Sequence, residues 1–178
     1  MAEEKKEAWL NYLALSTIIL AVCATMATFK GGGFSTRAVL SQTQASDQWA
    51  FFQSKSIKGY LYEMQKDQAE MQVKSQGAAL SPELAQAYRL KIDGYAAKIA
   101  KYETEKSKIQ LDAKRLEAVR DDAQRHGQAF GVAVIFLQIA ILLSSIAALL
   151  KKKYVWVLGV LIGAYGILQF ANGFFLFM

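Results

Sequence analysis

The amino-acid sequence predicts an all-α protein: three transmembrane helices with a long antiparallel, coiled-coil-like helical hairpin outside the bilayer, assembled as an oligomer. Three observations predict it. First, Trp9–Phe29, Ala129–Leu150 and Val155–Phe177 are apolar runs without a charged side chain, each about 20 residues or longer, which is what a spanning helix needs. Second, nearly all ionisable groups lie between the first and second runs. Third, Tyr88, Ile92, Tyr95, Ile99, Tyr102, Lys106, Ile109, Ala113, Leu116, Arg120 and Ala123 fall at alternating steps of four and three, the spacing of a coiled-coil seam.

The first span starts at Trp9 and Tyr12, aromatic side chains suited to a membrane interface. The lead before it, Glu3-Glu4-Lys5-Lys6-Glu7, is mixed in sign. The apolar run exceeds the roughly 7–15 residues of a secretory signal core, so it reads as a retained span. Thr17, Ala21, Thr25 and Thr28 form a small-residue stripe that a second helix can approach closely. Lys30-Gly31-Gly32-Gly33 reads as a flexible break after the span.

A helix over about 35–76 follows. Its apolar stripe is Ala45, Trp49, Phe52, Ser56, Tyr60, Met64, Gln68 and Met71, with a period of about 3.7 that departs from the heptad. Phe51, Ile57, Leu61 and Tyr62 widen it beyond what one partner helix covers, which points to further helices or other subunits. Gln76–Leu80 is the turn. Ser81-Pro82-Glu83 then opens the second helix with a hydroxyl cap, a first-turn proline and an early carboxylate. The two charged helices are each roughly 60–70 Å long at 1.5 Å per residue, so an antiparallel pair returns both outer ends to one membrane face. The Tyr/Ile seam near the tip reads as tight. The base, bearing Lys106 and Arg120, reads as looser and open to a partner.

Spans two and three are joined by Lys151-Lys152-Lys153. Short basic loops stay cytoplasmic, so this turn, with Lys5 and Lys6, puts the N-terminus inside and the hairpin outside. Lys30, Arg37, Arg120 and Arg125 argue the other way. The domain organisation is therefore residues 1–30 (N-terminal region and span one), 31–128 (exposed hairpin, helices about 35–76 and 82–128) and 129–178 (spans 129–150 and 155–177).

The net charge of +6 raises nucleic-acid binding, but the basic residues are interleaved with Asp and Glu or gathered in the Lys151–Lys153 turn, as on a solvated helix and a membrane-edge anchor. No nucleic-acid partner is expected. The single histidine and single cysteine, His126 and Cys23, lie in different environments, so no zinc site, nucleophile–base pair or other catalytic constellation is expected, and no cofactor. His126 reads as a solvated interface histidine or a pH-sensitive group. Tyr88, Tyr95 and Tyr102 form a seven-residue ladder that packs in the hairpin or between subunits, or stacks a ligand. The spans hold Gln138, Ser144, Ser145, Gln169 and Asn172 but no charge, which argues against proton-coupled transport. Gln138, Gln169 and Asn172 are candidates for helix packing or a pore, and Gly159 and Gly163 supply a close-packing motif.

The segment Ala45–Lys58, ASDQWAFFQSKSIK, with the opening Trp9–Leu15, WLNYLAL, resembles the signature of a bacterial membrane family, domain of unknown function 4337. The layout of one span, a helical middle and a terminal pair of spans covers the whole chain. The resemblance implies a bacterial inner-membrane protein and no activity. Asp47, Trp49, Gln53, Lys55, Ser56 and Lys58 match its motif. Asp47 and Lys55 are eight apart and share a helix face. A polar contact to the second helix near 112–120, or a ligand site, accounts for them. Asp47, Trp49, Gln53, Lys55, Lys58, Lys106 and Arg120 are the candidate interaction residues. The expected function is a non-enzymatic, membrane-anchored scaffold or interaction module, with lipid and other copies of itself as partners. The alternative is an oligomeric channel or small-solute transport subunit.

Overall fold

The computed structural model describes residues 8–178, and the Glu3–Glu7 lead used in the orientation count lies outside the described residues. Among the described residues there are three α-helices and no strand. They are α1 (Ala8–Gln76), α2 (Pro82–Leu150) and α3 (Lys153–Phe175), with a short 3-10 turn, Gly77–Ala79, between α1 and α2. All three are long and apolar enough to cross a membrane. The chain divides into two units. One comprises Ser41–Ala118, and the other the residues up to Leu40 with Val119–Met178.

The helix ends follow local chemistry. Gly77 sits at φ 47°, a left-handed conformation that glycine adopts without a Cβ penalty. Ser81 Oγ accepts the Leu84 N–H at 3.3 Å, and the Ser81 carbonyl accepts the Ala85 N–H at 2.9 Å. This is the N-cap expected of Ser-Pro-Glu. At the end of α2, Lys151 takes φ 50° and the Lys152 N–H returns to the Ala147 carbonyl at 3.2 Å, a helix-terminating left-handed turn. The link to α3 is thus shorter than the three-lysine loop read from sequence, because Lys153 already belongs to α3.

The glycine triplet does not break the chain. α1 runs unbroken from Ala8 to Gln76, and Thr36 Oγ1 donates to the Gly32 carbonyl at 3.0 Å. The reason lies in packing. A Cβ on Gly31 would stand 3.1 Å from Phe130 Cβ, so glycine allows α2 to approach there. Continuing the helix also keeps the backbone hydrogen bonds that a break would orphan. Each glycine in a helix costs about 1 kcal/mol relative to alanine, less than leaving several buried backbone groups unpaired.

In the three-helix unit the core is Leu20, Ala24, Ala27, Phe130, Ala133, Leu137 and Ala140. α3 joins it through a glycine edge. A Cβ on Gly159 would meet the Ala140 carbonyl and Leu143 Cβ at 3.2 Å, and one on Gly163 would meet Leu20 at 2.7 Å. One on Gly166 would meet Leu137, including its backbone nitrogen at 3.0 Å, and one on Gly173 would meet the Phe130 ring at 2.7 Å. The Gly159/Gly163 motif is therefore only half of the edge. Gly159, Gly166 and Gly173 recur every seven residues, a signal present in the sequence and masked by a pair-wise reading.

In the Ser41–Ala118 unit the pairing face of α1 differs from the 3.7-residue stripe. Tyr60, Met64 and Met71 are 60–67% exposed. The covered positions include Ser41, Ala45, Gln48, Phe52, Lys55, Gly59, Tyr62, Lys66, Ala69 and Val73, an alternation of three and four, with Trp49, Ser56 and Glu70 half-covered beside it. The repeat was hidden because Gly59, Lys55 and Lys66 occupy it. An apolar-only reading drifts at Ser56 onto the neighbouring face. On α2 the seam positions read from sequence are all covered, but their order of tightness is reversed. Ile109 and Ala113 are buried, whereas Tyr88, Tyr95 and Tyr102 are half-buried. Alanine lets backbones approach closely, and a tyrosine ring is too large for one partner helix to cover.

Gly166→Ala is expected to weaken the three-helix unit by about 1–3 kcal/mol through overpacking against Leu137. Circular dichroism of the detergent-solubilised protein during denaturation reads the shift. Gly131→Ala is the contrast, since its Cβ would meet nothing within 4 Å, and it leaves stability unchanged or raises it by up to about 1 kcal/mol.

Candidate interaction surfaces

Of the residues in the Ala45–Lys58 motif, Trp49 and Lys55 make polar contacts across to α2. Trp49 Nε1 donates to Glu117 Oε1 at 2.8 Å, while its ring meets Phe52 edge-on at 5.5 Å between centroids. Lys55 Nζ lies 2.6 Å from Glu105 Oε2. Asp47, Gln53 and Lys58 are exposed. The polar contact thus comes from Trp49 and Lys55 rather than from Asp47 and Lys55 as a pair. Lys55 meets Glu105, outside the 112–120 region expected from sequence. A heptad phase explains this. Lys55 occupies a seam position, whereas Asp47 lies on the far side of the helix.

The Lys55 ammonium sits over the rings of Phe51 at 5.1 Å and Tyr102 at 5.3 Å, and its side chain is 18% exposed. Two aromatic faces and a carboxylate therefore hold the cation inside the seam. The hydrogen bond from Lys55 holds the Glu105 carboxyl below its ordinary range; partial burial opposes this, and the charges of Lys55, Lys101 and Lys108 reinforce it. Next along the seam, Lys106 Nζ pairs with Glu103 on its own helix at 2.7 Å and lies 5.5 Å from the Phe52 ring centroid. Its aliphatic stem covers the seam while the ammonium reaches the edge. The tyrosine ladder acquires a partner in Tyr62, whose ring lies 5.9 Å from both Tyr95 and Tyr102. Lys98 Nζ is 4.6 Å above Tyr62. As the α1 residue number rises from Trp49 to Lys55 to Tyr62, the partner falls from Glu117 to Glu105 to Lys98.

The opposite face of α1 carries Ile57, Leu61, Met64 and Met71, all more than half exposed. These also alternate by fours and threes once Gln68 is included, so α1 presents a second heptad stripe that stays exposed among the described residues.

In the three-helix unit, Arg120 Nη2 pairs with Asp121 at 2.7 Å. His126 is not a plain solvated histidine. Its Nδ1 is 2.8 Å from the Gly173 carbonyl, its ring stacks on Phe34 at 4.6 Å, and Nε2 is 3.9 Å from Asp122. The Gly173 contact, 47 residues away in sequence, had no local signal. Asn172 is buried, 5% exposed, and accepts the Met178 N–H at 2.9 Å. It donates to Gln169 at 3.3 Å, and Gln169 donates to Tyr165 at 2.9 Å. Gln138 is exposed on α2. Asn172 and Gln169 therefore belong to a hydrogen-bond chain, and only Gln138 faces outward. Ser16 accepts the Trp156 indole N–H at 3.1 Å. Among the described residues, no three His, Cys, Asp or Glu side chains gather as a metal site requires.

Glu105 carries a pH dependence. A lowered folded-state pKa contributes stability at pH values above the unfolded one and loses it as pH falls through the folded one. Thermal melts are expected to show this loss below the ordinary value of 4.5, and Glu105→Gln to flatten that part of the curve. Trp49→Phe keeps the ring and removes the donor to Glu117. It is expected to lower stability by about 1 kcal/mol without changing helicity.

Residues 9–176 match the family described as Domain of unknown function (DUF4337). No curated protein and no solved structure matches the chain. With the match running from the first described tryptophan to the end of α3, the chain belongs to the DUF4337 family.

Proposed function

We propose that this protein is a non-enzymatic membrane scaffold of a bacterial inner membrane. The three apolar runs span the bilayer, and Ser41–Ala118 forms an antiparallel helical hairpin, more consistent with the periplasm, through which copies of the chain associate. The observation that carries the reading is the second heptad stripe, Ile57, Leu61, Met64 and Met71, exposed on the face of α1 opposite its pairing seam. Four large apolar side chains at coiled-coil spacing leave surface whose burial is worth about 25 cal/mol per Å², which favours a partner. The spacing specifies that partner as another helix. The falling order of α2 partners along α1 supports an antiparallel hairpin, and three uncharged runs of spanning length support the membrane assignment.

The alternative is an oligomeric channel, and Gln138 is the observation that favours it. It is an exposed amide on an otherwise apolar stretch of α2, which lipid would penalise and an intersubunit contact or pore would satisfy. Asn172 gives it no support, since its amide is engaged within the chain.

Light scattering of the protein in mild detergent is expected to give an oligomer. Leu61→Lys with Met64→Lys is expected to reduce it to a monomer with unchanged helicity. A monomeric wild-type protein, or an oligomer indifferent to both substitutions, overturns the scaffold reading. Solute flux through proteoliposomes that vanishes in Gln138→Leu would replace it with the channel.

A further inference from the structure

A cavity of about 520 Å³ opens beside the end of α3 in the three-helix unit. Arg125, Gln128, Gln169 and Asn172 line its polar part, and Val132 and Leu176 its apolar part. We propose that it binds the phosphodiester headgroup of an anionic phospholipid, with Arg125 as the charge partner and the three amides as donors. The inference rests on the membrane reading above.

Four observations carry it. Among the described residues, Arg125 is the one charged side chain lining the cavity, and no side-chain carboxylate lines it. An arginine stays protonated and presents a planar fork that matches two phosphate oxygens. The amides are prepared as donors. Asn172 commits its oxygen to Met178 N–H and one amide contact to Gln169, and Gln169 commits one to Tyr165. Each NH₂ has two hydrogens, so a donor remains on both. Next, the charged end of the cavity lies at the edge of the uncharged run of α2. Arg125 stands in the last charged turn, and the uncharged run begins at Ala129. A phosphate held by Arg125 sits at that edge, and Val132, about two turns farther along α2, offers apolar surface that the first carbons of an acyl chain cover and a soluble anion does not. Finally, the volume falls within the roughly 300–1,000 Å³ of small-ligand sites.

The test uses the full chain in mild detergent, analysed by native mass spectrometry with phosphatidylglycerol, phosphatidylcholine or inorganic phosphate added. Phosphatidylglycerol is expected to be retained in preference to phosphatidylcholine, and Arg125→Gln to weaken its retention about tenfold, equivalent to about 1.4 kcal/mol. Arg125→Lys, which keeps the charge and loses the fork, falls between. Arg37→Gln removes a basic side chain of the same unit that does not line the cavity and leaves retention unchanged. Circular dichroism checks that each variant is folded. Equal retention by Arg125→Gln and wild type, equal retention of the two lipids, or an equal loss in Arg37→Gln overturns the site. Displacement of phosphatidylglycerol by inorganic phosphate at comparable concentration reassigns it to a soluble anion and overturns the lipid proposal. Co-flotation with vesicles separates the two levels. A wild-type protein that fails to float refutes the membrane reading, and one that floats but retains lipid independently of Arg125 refutes only the site.

Discussion

A helix of 69 residues cannot be stabilised by its ends, so most of its tertiary stabilisation must come along its length. In both α1 and α2 that contact is a narrow seam, two positions in every seven. The phase of the repeat in α1 is unchanged from Leu13 to Val73, and in α2 from Ala85 to Ser144. Keeping a seven-residue phase across so many turns requires that no glycine, lysine or polar residue on the seam shift it. It also explains why those residues are tolerated there. Gly31 and Gly59 occupy seam positions without breaking α1, and Lys55 and Lys66 sit there without being buried as bare charges. Continuity of the seam outranks the local preference of any one residue.

The composition of the seam differs between the units, for a physical reason in each. In the three-helix unit, α3 must enter beside two helices already in contact. Glycines at seven-residue intervals let its backbone approach Phe130, Leu137 and Ala140. Close packing of this kind lets backbones approach and holds helices by van der Waals contact. In the Ser41–Ala118 unit the seam is flanked by charged side chains. Long amphipathic side chains serve there, because Lys55, Lys106 and Trp49 cover apolar surface and place a polar atom on Glu105, Glu103 and Glu117. The Lys55 ammonium, enclosed by two aromatic rings and a carboxylate, also ties α1 to a defined register on α2. A one-turn slip would leave a half-buried cation without its partner.

What the chain offers to others follows from what these seams leave over. Trp49 and Lys55, which make the motif's polar contacts to α2, are committed to the fold. The surplus lies elsewhere. It comprises the outward stripe of Ile57, Leu61, Met64 and Met71, the exposed Gln138, and the cavity beneath Arg125. An apolar heptad stripe calls for a helix and an arginine–amide cavity for a phosphate. Neither calls for a reacting substrate, and the scaffold reading draws on that chemistry.

Much of this was legible in the chain itself. The three uncharged runs, the Ser81-Pro82 start of α2, the turn at Gln76–Leu80 and the α2 seam through Ala123 depend on local chemistry and periodicity, and sequence contains both. The glycine triplet misled because a run of glycines carries a local propensity to break, while the contact between Gly31 and Phe130, almost 100 residues apart, is not local. The α1 seam misled because heptad positions were sought among apolar residues, and a glycine or a snorkelling lysine holds such a position by size or by stem. Which carboxylate Lys55 meets, which face of α1 stays uncovered, and the burial of His126 and Asn172 beside the end of α3 are relations between distant residues. Only the tertiary structure decided them, because pairing two long helices selects one register out of several that their separate periodicities allow.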